Sequence, residues 1–125
     1  MIFGIGTDLV FIPRMEALLL KHGDKIAMRI LTDTEYNDFQ QANKPANFLA
    51  KRFAAKEATA KALGTGFRNG LSLTHIAVTN NEQGKPELDF SHRGAELLAE
   101  LNISRHFVSL SDEQDYAMAY VMLEE

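Results

Sequence analysis

Cysteine is missing from the 125 residues. Disulfides and thiolate zinc centres are therefore excluded, and a reducing compartment, the cytoplasm, is the expected location. No apolar run approaches the ~20 residues that span a bilayer. The opening MIFGIGTDLV has no basic region before its apolar run and reaches Asp8 too soon for a signal peptide. Lys and Arg number 13 against 17 Asp and Glu, a formal charge of −4, which argues against general nucleic-acid binding. Repeats, low-complexity tracts and Pro/Ser/Gly linkers are also lacking. One domain over residues 1–125 is expected, and a hydrophobic fraction of 46% is enough for one core.

The common site motifs are absent as well. Gly4-x-Gly6 has no third glycine and lies in a strand pattern, so it is not a dinucleotide fingerprint. Gly84-Lys85 is followed by Pro86 and has no glycine five positions earlier, so it is not a P-loop. His22, His75, His92 and His106 show no metal-binding spacing. There is no GxSxG elbow.

What is present centres on Phe48 to Gly66, FLAKRFAAKEATAKALGTG. Its alanines favour helix, Pro45 suits the first turn and Gly64 falls at a left-handed cap. Phe53, Glu57 and Lys61 recur every four residues and share a face. Before it, Ile2 to Asp8 reads as a strand with Asp8 at its C-terminal end, and Gly4 and Gly6 imply close approach by another backbone. Pro13 to Lys21 reads as a helix with Met15, Leu18 and Leu19 inward and Arg14 and Lys21 exposed. A short helix is expected over Asp24 to Leu31. Another is expected from the Thr32/Glu35 capping box to about Ala42.

After the loop Phe67 to Gly70, strands are expected at Ile76–Thr79 and Pro86–Phe90. A helix capped by Ser91 runs through about Leu101. Closing strands are expected at His106–Ser111 and Tyr116–Leu123, joined by the turn Asp112-Glu113-Gln114. The last strand is apolar on both faces, Tyr116/Met118/Tyr120/Met122 and Ala117/Ala119/Val121/Leu123. Both faces therefore want burial, one of them by a neighbouring subunit. The element string is α+β: one long central helix on a small, mainly antiparallel sheet.

Asp8, Glu57 and Lys61 form the one suggestive ionisable set. Two carboxylates from different elements suit Mg²⁺, which keeps several waters and binds few carboxylates plus substrate phosphates. Lys61 would reach a phosphate oxygen or leaving group, and the amides of Gly64-Thr65-Gly66 could meet phosphate. The plainer alternative is a solvated Glu57–Lys61 pair worth ~0.3–0.5 kcal/mol. Lys51, Arg52 and Lys56 are most simply a wet helix face.

The motifs Gly4-Ile5-Gly6-Thr7-Asp8-Leu9-Val10 and Arg52-Phe53-Ala54-Ala55-Lys56-Glu57-Ala58, the latter continuing to Lys61-Ala62-Leu63-Gly64-Thr65-Gly66, resemble the short 4′-phosphopantetheinyl transferases, the holo-[acyl-carrier-protein] synthases. Asn81-x-x-Gly84-Lys85-Pro86 and Ser109-Leu110-Ser111 also fit, and the resemblance spans the chain. It implies Mg²⁺-dependent transfer of phosphopantetheine from coenzyme A to a serine of apo acyl carrier protein, in support of fatty acid biosynthesis, with release of adenosine 3′,5′-bisphosphate. Asp8 and Glu57 would hold the metal, and Lys61 would sit beside the reacting phosphate. Glu57, or a metal-bound water it orients, would be the base. Arg52, Gly64, Thr65, Gly84, Lys85 and Pro86 match positions lining the coenzyme A site. Ser109 and Ser111 match the strand that flanks it from the neighbouring subunit of a homotrimer. The acidic carrier would dock on a local basic surface, Arg14, Lys21, Lys25 and Arg29, with Met15 or Leu18 as apolar contacts.

Two positions depart from the family pattern. Phe11 stands where an acidic residue is common, and Asp112 where histidine is common. An Asp there would repel a coenzyme A phosphate, so either the loop is displaced or a cation such as Lys44 or Arg105 compensates. The rival readings are a Mg²⁺-dependent phosphoanhydride hydrolase and a non-catalytic coenzyme A or carrier-protein binding module.

Overall fold

A computed structural model describes residues 1–125. The chain is α+β. A three-stranded antiparallel sheet of order β1-β5-β4 uses β1 (Ile2–Phe11), β5 (Tyr116–Glu124) and β4 (Arg105–Glu113), and a separate hairpin pairs β2 (Ile76–Asn80) with β3 (Pro86–Phe90). Four helices precede that hairpin: α1 (Ile12–His22), α2 (Asp24–Ile30), α3 (Asp33–Gln40) and α4 (Pro45–Leu63). The last, α5 (His92–Glu100), connects β3 to β4.

The long helix has the expected ends. Proline occupies its first turn, and Gly64 closes it at φ 81°, a left-handed conformation that glycine adopts without strain. Alanine on every side lets neighbours approach α4 all round, so Leu49, Ala50, Ala54, Ala55, Ala58 and Thr59 are fully buried. Its closest neighbour is β1. A Cβ on Gly4 would lie 2.1 Å from the Ala62 carbonyl oxygen, and one on Gly6 would lie 2.0 Å from that of Ala58. Two strand residues advance ~6.8 Å and four helix residues ~6 Å, so strand and helix keep step. The glycines let them touch, and Asp8 continues the same row one turn further along α4.

Alternation along β5 divides the sheet. Ala117, Ala119, Val121 and Leu123 are fully buried against α4, while Tyr116, Met118 and Tyr120 on the other face are 49%, 42% and 37% exposed. The opposite register pairs Asp8 with Ala119, Asp112 with Ala117, Ser109 with Tyr120 and Ser111 with Met118. Asp8 and Asp112 therefore face the helix, and Ser109 and Ser111 face away from it.

Several boundaries differ from expectation. β1 continues to Phe11, because Leu9, Val10 and Phe11 pair with Met118, Ala117 and Tyr116, so Asp8 lies inside the strand and not at its end. Asp112 and Glu113 belong to β4, and the turn is Gln114-Asp115, with Gln114 at φ 50°. The Thr32/Glu35 capping box forms as expected, whereas Ser91 makes no side-chain cap bond. Arg52 and Lys56 are buried and not on a wet face.

Candidate active site

Asp8 and Glu57 project from β1 and α4 into one cleft of about 570 Å³. Glu57 holds its proton more tightly than an ordinary glutamate, first because it is partly desolvated and then because Asp8 is close; Lys61 opposes both. Lys61 is not paired with Glu57. Helical side chains lean toward the N-terminus, and its Nζ donates to Asp8 Oδ1 at 3.1 Å and to the Thr7 carbonyl at 2.9 Å. The solvated Glu57–Lys61 pair is thus replaced by a link between helix and strand. Two carboxylates and one ammonium converge where the glycines bring β1 against α4.

The same cleft is walled by Arg14, Met15 and Leu18 of α1, Ile26, Arg29 and Ile30 of α2, and Phe53 of α4. Lys25 borders a smaller hollow beside it with Leu18, His22, Ile26 and Arg29. Lys21 is exposed at the end of α1. Of the expected carrier-docking residues, Arg14, Met15, Leu18 and Arg29 therefore share the cleft of the expected metal carboxylates, Lys25 borders the hollow beside it, and Lys21 lines neither. Met15 is 4% exposed and belongs to the core, so it forms the cleft's floor and Leu18 is the accessible apolar group.

Other expected contacts are not gathered here. Lys85 and Pro86 line a separate groove of about 430 Å³ with Thr79, His106, Phe107 and Val108. The turn before it is firmly built: Asn81 Oδ1 accepts from the amides of Gln83 and Lys85 at 2.9 and 3.0 Å, and Gly84 adopts φ 83°. At the end of α4, the Gly64 amide donates to Lys61 O and the Gly66 amide to Ala60 O. Two of the three amides expected to be free for phosphate thus cap the helix instead, and Thr65 supplies the remaining one. Arg52, expected at the coenzyme A site, is 5% exposed, with its guanidinium 4.5 Å over the Phe48 ring and its Nε 3.5 Å from Glu35. Ser109 and Ser111 lie on the outer sheet face, across the sheet from Asp8.

Asp112 is neutralised from a direction the sequence did not indicate. Its carboxylate accepts from Asn47 Nδ2 at 3.3 Å and lies 3.6 Å from Lys51 Nζ, both on α4. Arg105 is engaged elsewhere, with Glu124 at 3.1 Å. The cation beside Asp112 is Lys51, not Lys44 or Arg105.

No helix is long and apolar enough to cross a membrane. Nor does any group of three or more His, Cys, Asp or Glu gather as a metal site. A two-carboxylate Mg²⁺ site needs no such group, since water and substrate phosphate supply the other ligands.

Residues 4–121 match the 4′-phosphopantetheinyl transferase superfamily. The chain belongs to this family. It is 51% identical to the holo-[acyl-carrier-protein] synthase of Hamiltonella defensa, over 98% of each chain. The crystal structure of that enzyme from Neisseria meningitidis superposes with a TM-score of 0.95 at 48% identity, covering 100% of both chains. The Bacillus anthracis enzyme, solved in complex with CoA (3′,5′-ADP), superposes at 0.82 with 37% identity, covering 98% of this chain and 96% of that one.

In this transferase, sequence reasoning missed the buried partners of the site helix. Glu35 was expected only as a capping residue, yet it is 1% exposed and bonded to Lys56, which is 0% exposed. A signal existed. A helix with alanine spread round its surface can be packed against on most of its faces, so a lysine buried in its middle needs an anion.

Proposed function

We propose that the chain transfers 4′-phosphopantetheine from coenzyme A to a serine of apo acyl carrier protein, releasing adenosine 3′,5′-bisphosphate. The observation that carries this is the single cleft shared by Asp8, Glu57 and the basic and apolar residues of α1 and α2, in a chain of this family. The carrier's acidic surface would meet Arg14, Lys21, Lys25 and Arg29, with Leu18 beneath. The complementary charge would steer encounter more than it adds affinity.

The donor set suits Mg²⁺, held by Asp8 and Glu57. When bound, the ion supplies neutralising charge to the coenzyme A diphosphate. The chain's own residues do the rest. Lys61, 55% exposed at its side chain, would place an ammonium beside the reacting phosphate, where negative charge builds as the P–O bond breaks. Glu57, directly or through a water it orients, accepts the proton of the attacking serine. A carboxylate whose pKa is raised is better matched to that task than an ordinary one. The serine oxygen bonds to the phosphorus that carries pantetheine, and the bond to the leaving phosphate opens.

The active assembly is a homotrimer with sites at subunit interfaces. Supporting this, Ile5 and Leu9 are 56% and 64% exposed beside Met118 and Tyr120, an apolar sheet face that wants covering. Ser109 and Ser111 share that face, so they would serve a neighbour's coenzyme A site, with Gly84, Lys85, Pro86, Gly64 and Thr65 completing its contacts. The location is the cytoplasm and the pathway fatty acid biosynthesis.

The test is mass spectrometry of apo acyl carrier protein incubated with enzyme, coenzyme A and Mg²⁺. A gain of one phosphopantetheine, lost on chelation and in Asp8→Ala and Glu57→Ala, is expected. Consumption of coenzyme A without carrier modification would mean a hydrolase, and binding with no turnover would mean a binding module.

A further inference from the structure

Three charged residues are buried together on the side of α4 away from β1. The Glu35 carboxylate sits at their centre. Its Oε1 accepts from Lys56 Nζ at 2.6 Å and from the Thr32 amide at 2.9 Å, and its Oε2 accepts from the Val78 amide at 2.8 Å. Lys56 Nζ also donates to the Ile30 carbonyl at 2.5 Å. Arg52 adds a second positive charge, with Nε 3.5 Å from Glu35 Oε2 and no hydrogen-bond partner. Burial pulls the Lys56 ammonium's pKa down, and Glu35 acts against that.

Desolvating such a set is expensive, and well-packed apolar residues would serve stability as well. The bonds it makes are directional, however. Through Glu35 and Lys56, the C-terminal end of α2, the first turn of α3, strand β2 and helix α4 are joined at one point. Two of those elements form the active cleft: Ile30 and Arg29 of α2 face Phe53 and Glu57 of α4 across it. Lys56 immediately precedes Glu57, so ~100° of helix rotation separates them. With Lys56 anchored to Glu35, Glu57 is turned toward Asp8.

We propose that Glu35 and Lys56 are positioning residues for the transfer reaction, fixing the rotation of α4 and the width of the cleft so that Glu57 meets Asp8. The inference rests on the transferase reading above, which the wild-type reaction tests separately. If the wild type modifies no carrier, that reading fails. If it does, the pair is tested by variants.

The first variant is Glu35→Gln/Lys56→Met, which removes both charges together and keeps similar volumes. Expected are a circular dichroism spectrum close to wild type and a lowered thermal midpoint, because buried Arg52 loses the counter-charge of Glu35. Mn²⁺ affinity, measured by electron paramagnetic resonance without coenzyme A, should weaken about tenfold, and kcat should fall about tenfold or more. The KM for coenzyme A should change much less. A folded double variant with wild-type Mn²⁺ binding and kcat would overturn the proposal. If the double variant does not fold, Glu35→Asp replaces it. That change keeps the charge but is too short to hold Lys56 and the Val78 amide together, and the same losses are expected. Unchanged binding and kcat in Glu35→Asp would overturn the proposal. Failure of both variants to fold would also overturn it, by making the pair a requirement of folding alone.

Discussion

At the residue scale, the environment of Glu57 determines how pH acts on it. Its folded pKa is raised by desolvation and by Asp8. A raised carboxyl favours its protonated form in the fold. Its stabilising contribution is therefore complete below the unfolded pKa and is lost as pH rises through the folded one. Metal binding runs the other way, because the ion must displace that proton. Mn²⁺ binding should accordingly fail on acidification at a pH above the ordinary glutamate range. In the metal-free protein, Asp8→Asn should lower the Glu57 pKa part of the way, since burial remains. Carbon-detected NMR titration of the Glu57 carboxyl in the metal-free protein checks the pKa and electron paramagnetic resonance checks the Mn²⁺ binding, and an ordinary pKa unaffected by Asp8→Asn would refute this account. Lys61 shows a related lesson: residue spacing alone offered it Glu57, but the folded chain bonds it to Asp8 and Thr7.

The contact of β1 with α4 decides the site at the scale of elements. Gly6→Ala would set a methyl 2.0 Å from the Ala58 oxygen and 2.8 Å from the Ala62 amide nitrogen. Both are backbone atoms that cannot swing aside, so the strand must lift. A destabilisation of ~1–3 kcal/mol is expected, read by urea unfolding. Because Asp8 lies on the lifted strand and Glu57 on the helix, the Mg²⁺ concentration for half-maximal activity should also rise, about tenfold. A Gly6→Ala enzyme with an unchanged Mg²⁺ requirement would show that the close approach does not set the carboxylate spacing. The sequence indicated that approach through two glycines in a short strand. It did not indicate that β1 would run on past Asp8, since that depends on pairing with residues more than a hundred positions away.

Quaternary structure is the question at the scale of the whole molecule. The outer face of the sheet presents Ile5, Leu9, Met118 and Tyr120 to solvent in the single chain. If that face is the trimer interface, Met118→Lys/Tyr120→Lys should give a folded monomer by sedimentation. It should also lose carrier modification, because each cleft lacks a neighbour's strand. An active monomeric variant would refute the shared site. The position of Asp112 belongs to this scale too. In β4 it faces α4, bound to Asn47 and Lys51, so its charge is met within its own subunit.

The sequence by itself determined the local rules: the helix from Pro45 to its Gly64 cap, the Thr32/Glu35 capping box, the glycines of the first strand and the two-faced last strand. These follow from propensity, backbone freedom and periodicity, which act over a few residues. Its Asp8, Glu57 and Lys61 motifs also carried the family resemblance. Tertiary structure alone decided which charges meet. Glu35 lies 21 residues from Lys56, Asn47 lies 65 from Asp112, and Lys61 lies 54 from Thr7. No spacing rule reaches that far. Those partners are chosen by burial, because a charge taken from water must find an opposite one wherever the packed chain brings it.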